Sequence, residues 1–166
     1  MSLTGDEPKT PVFCGEYELM LDEKNRLVIP ASVRKDIDSA VHGRTLCICL
    51  ATRPGVLWMY PKGVFENYVR QLPFGLLPDP RLENVVHRLL SMADKADWDS
   101  QGRLVIQERL LNGAQLSGRK EFTLVGAGNK LELWKRDSWA MQRQYVTENT
   151  ANVLMTWQTM TAPAKN

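Results

Sequence analysis

The stretch DEKNRLVI, residues 22–29, returns as DSQGRLVI at residues 99–106. Five of the eight positions are identical, at an offset of 77. The landmarks that follow keep the same order in both places. Gly43-Arg44 precedes the run TLCICL, and Gly118-Arg119 precedes EFTLVG. VLWMYP (56–61) and KLELWK (130–135) each follow a glycine-bearing turn, RPG in one case and AGN in the other. A polar stretch carrying an aromatic comes next, with Phe65 in the first half and Trp139 in the second. From turn to aromatic the second copy is three residues shorter. An internal repeat of this kind decides the architecture before any local reading does.

Each copy reads as strand, tight turn, strand, short helix, strand, turn, strand, helix, so the expected fold is α+β. The first copy spans about 13–72 and the second about 90–149. Residues 73–80, PFGLLPDP, hold three prolines and a glycine and form a hinge. Leu82, Val85, Val86, Leu89 and Leu90 then recur at helical spacing, with Pro80 suited to the first turn of a linking helix. Residues 1–12 read as a flexible extension and 150–166 as a frayed tail. A unit of about 60 residues is marginal alone, so the two copies are expected to share one core. In EYELML, Tyr17, Leu19 and Leu21 fall on one face of a strand. The continuous apolarity of TLCICL predicts burial on both faces. Trp58, Tyr60, Trp134 and Trp139 are expected to pack in the core or at a subunit interface.

Composition narrows the function classes. The chain has 166 residues, 43% of them hydrophobic and 24% charged, with a net charge of +2. That excludes a mainly disordered chain, and no apolar run reaches the roughly 20 residues of a membrane span. The polar start, with Asp6, Glu7, Pro8 and Lys9, lacks the apolar core of a signal peptide, so a cytoplasmic protein is expected. Cys47 and Cys49 are two apart on a strand and too far apart to bridge, which fits reduced core cysteines. His42 and His87 stand apart with no C-x-x-C near them, so no zinc site, other metal or cofactor is expected.

The repeated D-x-x-(N/G)-R turn is the one motif that carries chemistry. Asp22 and Asp99 each open a tight turn, where a carboxylate accepts from the backbone two residues on. Asn25 and Gly102 hold the fourth position, and what they share is tolerance of a left-handed backbone. Arg26 and Arg103 follow at once. Such an arginine either fixes the hairpin through its aspartate or offers its fork to a phosphate or a guanine edge. Lys24, Arg34 and Lys35 make the first copy locally basic. The second copy has Leu111 and Asn112 where Arg34 and Lys35 stand, with Arg109 its only other nearby cation.

FCGEYELMLDEKNRLVIPASVRKDI resembles the opening of the MraZ family, within the SpoVT/AbrB-type superfamily. DSQGRLVI is similar to that family's second motif, and GAGNKLELW to its later strand turn. The resemblance covers about residues 13–149. It implies two tandem SpoVT/AbrB-like repeats forming a pseudo-dimeric swapped-hairpin β-barrel within one chain. It also implies a transcriptional regulator that binds double-stranded DNA near its own promoter, ahead of division and cell-wall genes. Such a protein is associated with the nucleoid, and members of the family close into homo-oligomeric rings. On this reading Lys24, Arg26, Arg34, Lys35 and Arg103 meet DNA, while Asp22, Asn25, Asp99 and Gly102 build the turns. The sequence departs from the family pattern at Asn25, usually Gly, and at Gln107, which replaces the Pro that ends the first motif.

Two other classes compete. Asp22 and Asp99 would form a proton-sharing dyad in an enzyme, but each already has a turn and an arginine to occupy it. No Ser-His-Asp, zinc or phosphate-loop pattern is present, and no small-molecule substrate is expected. A ring-forming assembly module without DNA binding is the other alternative. Binding of DNA at low salt separates both from the regulator.

Overall fold

The computed structural model describes residues 10–76 and 79–161. The expected extension over 1–12 therefore lies outside the described residues as far as Lys9, as does the end of the tail from 162. The first half runs β1 (Glu16–Met20), β2 (Arg26–Val28), α1 (Ala31–Asp36), α2 (Ser39–His42), β3 (Thr45–Leu50), β4 (Val56–Pro61) and α3 (Lys62–Arg70). The second half runs β5 (Asp94–Asp97), β6 (Arg103–Val105), α5 (Glu108–Gly113), β7 (Glu121–Gly126), β8 (Leu131–Lys135) and α6 (Arg136–Glu148). The order expected from the repeat is present in both, with the short α2 added in the first. Between them α4 (Pro80–Val86) continues into a π-helical turn, His87–Ser91.

The strands form an antiparallel sheet in the order β1-β7-β8-β4-β3-β5. The first strand of each half pairs with the third strand of the other: Glu16 faces Val125 on β7, and Thr45 on β3 faces Asp97 of β5. β2 and β6 form a separate two-stranded ribbon. The ladder is open, with β1 and β5 as its two edges, so the closed barrel implied by the family resemblance is not what these pairings draw.

Both halves supply one core. Leu27 and Ile29 from the first turn region and Leu104 and Ile106 from the second are at most 1% exposed, and they cluster with Leu46, Ile48, Phe122 and Leu124. β3 is buried on both faces for a visible reason. Leu46 and Ile48 join this core, whereas Cys47 and Cys49 lie beneath Phe65 of α3 and Leu89 and Leu90 of the π turn. Burial pushes the two thiols up, to about 11 for Cys47 and about 12 for Cys49. Trp134 is buried and its ring stands 5.5 Å from that of Trp139. Side chains also tie the halves together: Lys95 of β5 donates to Glu66 of α3 at 2.9 Å, and Trp139 of α6 donates to Glu16 of β1 at 2.7 Å.

The tail requires a correction. Thr150–Thr161 is not frayed but forms a helix, α7. Its threonines look helix-averse, yet Thr156, Thr159 and Thr161 each donate a hydroxyl to the carbonyl four residues back, at 2.8–2.9 Å. That bond satisfies the hydroxyl inside the helix.

Candidate nucleic-acid interface

The two turns are built alike. Asp22 Oδ1 accepts from the backbone N–H of Lys24 (2.8 Å) and of Arg26 (2.9 Å). Asp22 Oδ2 accepts from Arg26 Nε at 2.7 Å. Asp99 repeats this with the N–H groups of Gln101 and Arg103, both at 2.9 Å, and with Arg103 Nε at 2.7 Å. Asn25 has φ 55° and Gly102 has φ 80°, so both fourth positions are left-handed. Gln107 stands where Pro30 does and copies its backbone, φ −60° against −55°.

These bonds hold both carboxyls below the ordinary aspartate value, through the backbone N–H of the following arginine first and its guanidinium after that. A proton-sharing dyad needs one carboxyl pushed up. The geometry does the opposite to both, so Asp22 and Asp99 are turn builders.

β2 and β6 then set the arginines in a plane. Arg26 faces Val105, Leu27 faces Leu104, and Val28 faces Arg103. Paired residues share a face, so Arg26, Val28, Arg103 and Val105 form one face of the ribbon and Leu27 and Leu104 the other. The leucines are buried, whereas Val28 is 50% and Val105 47% exposed. The arginines lie on one diagonal and the valines on the other, close enough for long side chains to meet. Each arginine spends Nε on its aspartate, and neither Nη group makes a hydrogen bond among the described residues. The outer face of the ribbon thus carries two forks with free ends around two exposed methyl-bearing side chains. Val28 and Val105 were not among the expected site residues. The period-2 alternation of R-L-V-I, with leucine and isoleucine inward, was the signal that could have found them.

The halves are locked by two reciprocal bonds. Ile29 N–H donates to the Gly102 carbonyl and Ile106 N–H to the Asn25 carbonyl, both at 2.8 Å. Each turn is therefore flanked by the helix of the other half. Arg34 of α1 donates Nε to the Ile29 carbonyl at 3.0 Å and lies across Gly102, where an added Cβ would stand 2.7 Å from Nε. Glu108 of α5 accepts from Asn25 Nδ2 at 2.8 Å. Sequence proximity places Arg34 and Lys35 with the first turn; the structure places Arg34 over the second. Lys24 and Lys35 are exposed. Arg109 is occupied elsewhere, donating to the carbonyls of Ser91 (3.0 Å) and Ala93 (2.7 Å).

Comparison with known proteins identifies the family. The model of the MraZ protein family matches residues 12–75 and 89–158, once for each half. The chain is similar to a protein named Transcriptional regulator MraZ from Oenococcus oeni, with 34% identity over 83% of this chain and 91% of the relative. A protein of the same name from Neisseria meningitidis serogroup A is 34% identical over 77% of this chain and 83% of the relative. One from Natranaerobius thermophilus is 30% identical over 86% and 94%. Two family matches that divide the chain where its own repeat divides it make this chain a member of the MraZ family.

Proposed function

We propose that this chain is a sequence-specific, DNA-binding transcriptional regulator that presents the outer face of the β2–β6 ribbon to duplex DNA. The observation that carries the reading is the diagonal of Arg26 and Arg103 around exposed Val28 and Val105. A major groove admits a two-stranded ribbon, a guanidinium with two free nitrogens matches the guanine edge, and a valine methyl suits the methyl of thymine. Asp22 and Asp99 fix each fork by Nε, which lowers the cost of orienting it on binding. Lys24, Arg34 and Lys35 belong to the backbone-positioning set, which sets register without reading bases.

The finer features of the family are part of this proposal. The exchange of β1 and β5 is read as the swapped-hairpin arrangement of a pseudo-dimer. The target is the promoter region of the chain's own gene, ahead of division and cell-wall genes, in the cytoplasmic nucleoid. One ribbon is a small footprint, so a homo-oligomeric ring that sets several ribbons on one duplex raises affinity through effective concentration. Met141, Tyr145, Leu154, Met155, Trp157 and Met160 are exposed along α6 and α7 and supply apolar surface for self-association.

The test is a gel shift on the region upstream of the chain's own gene, set against a scrambled duplex of equal length. Arg26→Lys and Arg103→Lys keep the charge and lose the fork. Each is expected to weaken the upstream duplex at least about fivefold, and the scrambled one much less, since a bidentate contact contributes roughly 1–3 kcal/mol of discrimination. Unchanged discrimination in both variants would end this reading of the ribbon.

A further inference from the structure

The molecule has a second basic feature beside the ribbon, and only one of its turns carries it. A cavity of about 450 Å³ opens against the second turn, lined by Arg34, Lys35, Arg44, Trp98, Asp99 and Ser100 among others. Three cations meet one carboxylate there. That carboxylate is already committed, since Asp99 accepts from two backbone N–H groups and from Arg103 Nε. Lys35 and Arg44 make no side-chain hydrogen bond or ion pair among the described residues, and both are exposed. Arg34 is anchored by Nε on Ile29 and has no hydrogen-bond partner on its Nη groups among the described residues. Ser100 adds a hydroxyl. This is a concave surface with free donors and uncompensated positive charge.

The matching place beside the first turn keeps its aspartate, Asp22, but changes the residues around it. Leu111 replaces Arg34 and is buried. Asn112 replaces Lys35 and is engaged with Ser117. The place of Arg44 falls to Lys120, because Leu21 N–H donates to the Lys120 carbonyl as Trp98 N–H donates to that of Arg44. Glu108 adds a carboxylate against Asn25. Around the first turn two cations, Lys24 and Lys120, are matched by two added carboxylates, Glu23 in the place of Ser100 and Glu108, whereas the second turn faces three cations with no carboxylate beyond Asp99 in its lining.

We propose that the cavity over the second turn is a phosphate-binding site, with Lys35, Arg44 and the Nη groups of Arg34 as its ligands. The inference rests on the DNA-binding reading for its first source of phosphate, the backbone of the duplex that the ribbon reads. The same chemistry takes a free phosphate group. In the duplex case the ribbon is gripped asymmetrically: both arginine forks face the bases, and the second turn holds the backbone through a cluster of cations where the first offers Lys24 alone.

The test compares Lys35→Gln/Arg44→Gln with Lys24→Gln/Lys120→Gln, both drawn from exposed side chains in the full chain. Fluorescence anisotropy on the upstream duplex gives the slope of log K against log salt. The second-turn pair is expected to flatten that slope by about 1.8, at about 0.9 for each phosphate no longer neutralised, and the first-turn pair by no more than about 0.9, for Lys24 alone. Equal losses, or a larger loss in the first-turn pair, overturn the proposal. If the wild-type chain binds no duplex at about 50 mM salt, where such electrostatic binding is strong, the DNA reading fails and the site is judged on inorganic phosphate and pyrophosphate alone. Saturable amide shifts at Arg44, Asp99 and Ser100, abolished in Lys35→Gln/Arg44→Gln, then support a site for a free phosphorylated ligand. Absence of such shifts overturns it.

Discussion

The two turns of this chain share a backbone and differ in what lies over it. Around Asp22 and around Asp99 the same bonds recur within 0.1 Å of each other, from the two backbone N–H groups to the guanidinium Nε. The neighbours do not recur. Gly102 is roofed by Arg34, and Asn25 instead gives its amide to Glu108. The two differences are linked. A side chain at 102 would force the Arg34 guanidinium to shift and would sit on a left-handed backbone, so glycine suits the position. At 25 the roof is absent, because Leu111 has turned into the core, and a short amide has room. Duplicated units diverge here in pairs of positions that touch between the two halves, not position by position along the chain.

The two turns are most sensitive to substitution at the fourth position. Gly102→Ala meets both a left-handed backbone and the Arg34 guanidinium, and is expected to cost roughly 2–3 kcal/mol in urea unfolding. In an Arg34→Ala background the same change is expected to cost about 1 kcal/mol less, since one of its two causes is gone. Equal penalties in both backgrounds would mean that the roof plays no part.

At the other turn the expected effects are smaller and depend on shape. Asn25→Gly keeps the left-handed backbone and is expected to stay within about 0.5 kcal/mol of wild type. Asn25→Val is expected to lose about 1–2 kcal/mol. A valine variant that melts with the wild type would mean that the turn tolerates a changed backbone.

Arg109 tests whether a cation of the second half is structural. Removing its two bonds to the carbonyls of Ser91 and Ala93 is expected to lower stability by about 1 kcal/mol and leave the salt slope of duplex binding unchanged. A stable variant with a flattened slope would assign Arg109 to DNA instead.

The smallest effect is acid-dependent. Asp22 and Asp99 sit below the ordinary value of 3.8, so their folded-state bonds add stability that is full above that value and is lost as pH falls through the lower folded value. Carboxyl resonances followed by NMR are expected to titrate below 3.8 for both residues, because the same backbone and guanidinium bonds hold each. A midpoint above 3.8 for either would show that its turn opens before it protonates.

The repeat, both turns, their left-handed fourth positions and the element order were legible in the sequence, because each is written in neighbouring residues. The period of TLCICL and the bracketing of Asp by Gly or Asn and Arg are local facts. Which turn Arg34 serves is not local. It follows from the Ile29–Gly102 and Ile106–Asn25 bonds, which join residues more than about 70 positions apart. Arg44 was invisible for the same reason, being carried to Asp99 by the pairing of β3 with β5. Helix α7 was missed through propensity, since its threonines count against a helix until their hydroxyls find carbonyls within it.

The exchange of first strands reaches into the birth of the protein. β1 leaves the ribosome early, yet its ladder partner β7 lies more than about a hundred residues on, a wait of roughly 5–20 s at ordinary rates of synthesis. The β3–β4 hairpin closes in microseconds once made, and its outer edge then waits for β5. Through that interval the nascent first half shows an unpaired edge of TLCICL to its surroundings. Any β5 from a neighbouring chain carries the same complementary residues and fits there equally well. On a crowded polysome the first half therefore has a choice of partners, and the covalent link to its own second half favours pairing within one chain by raising the effective concentration of that β5.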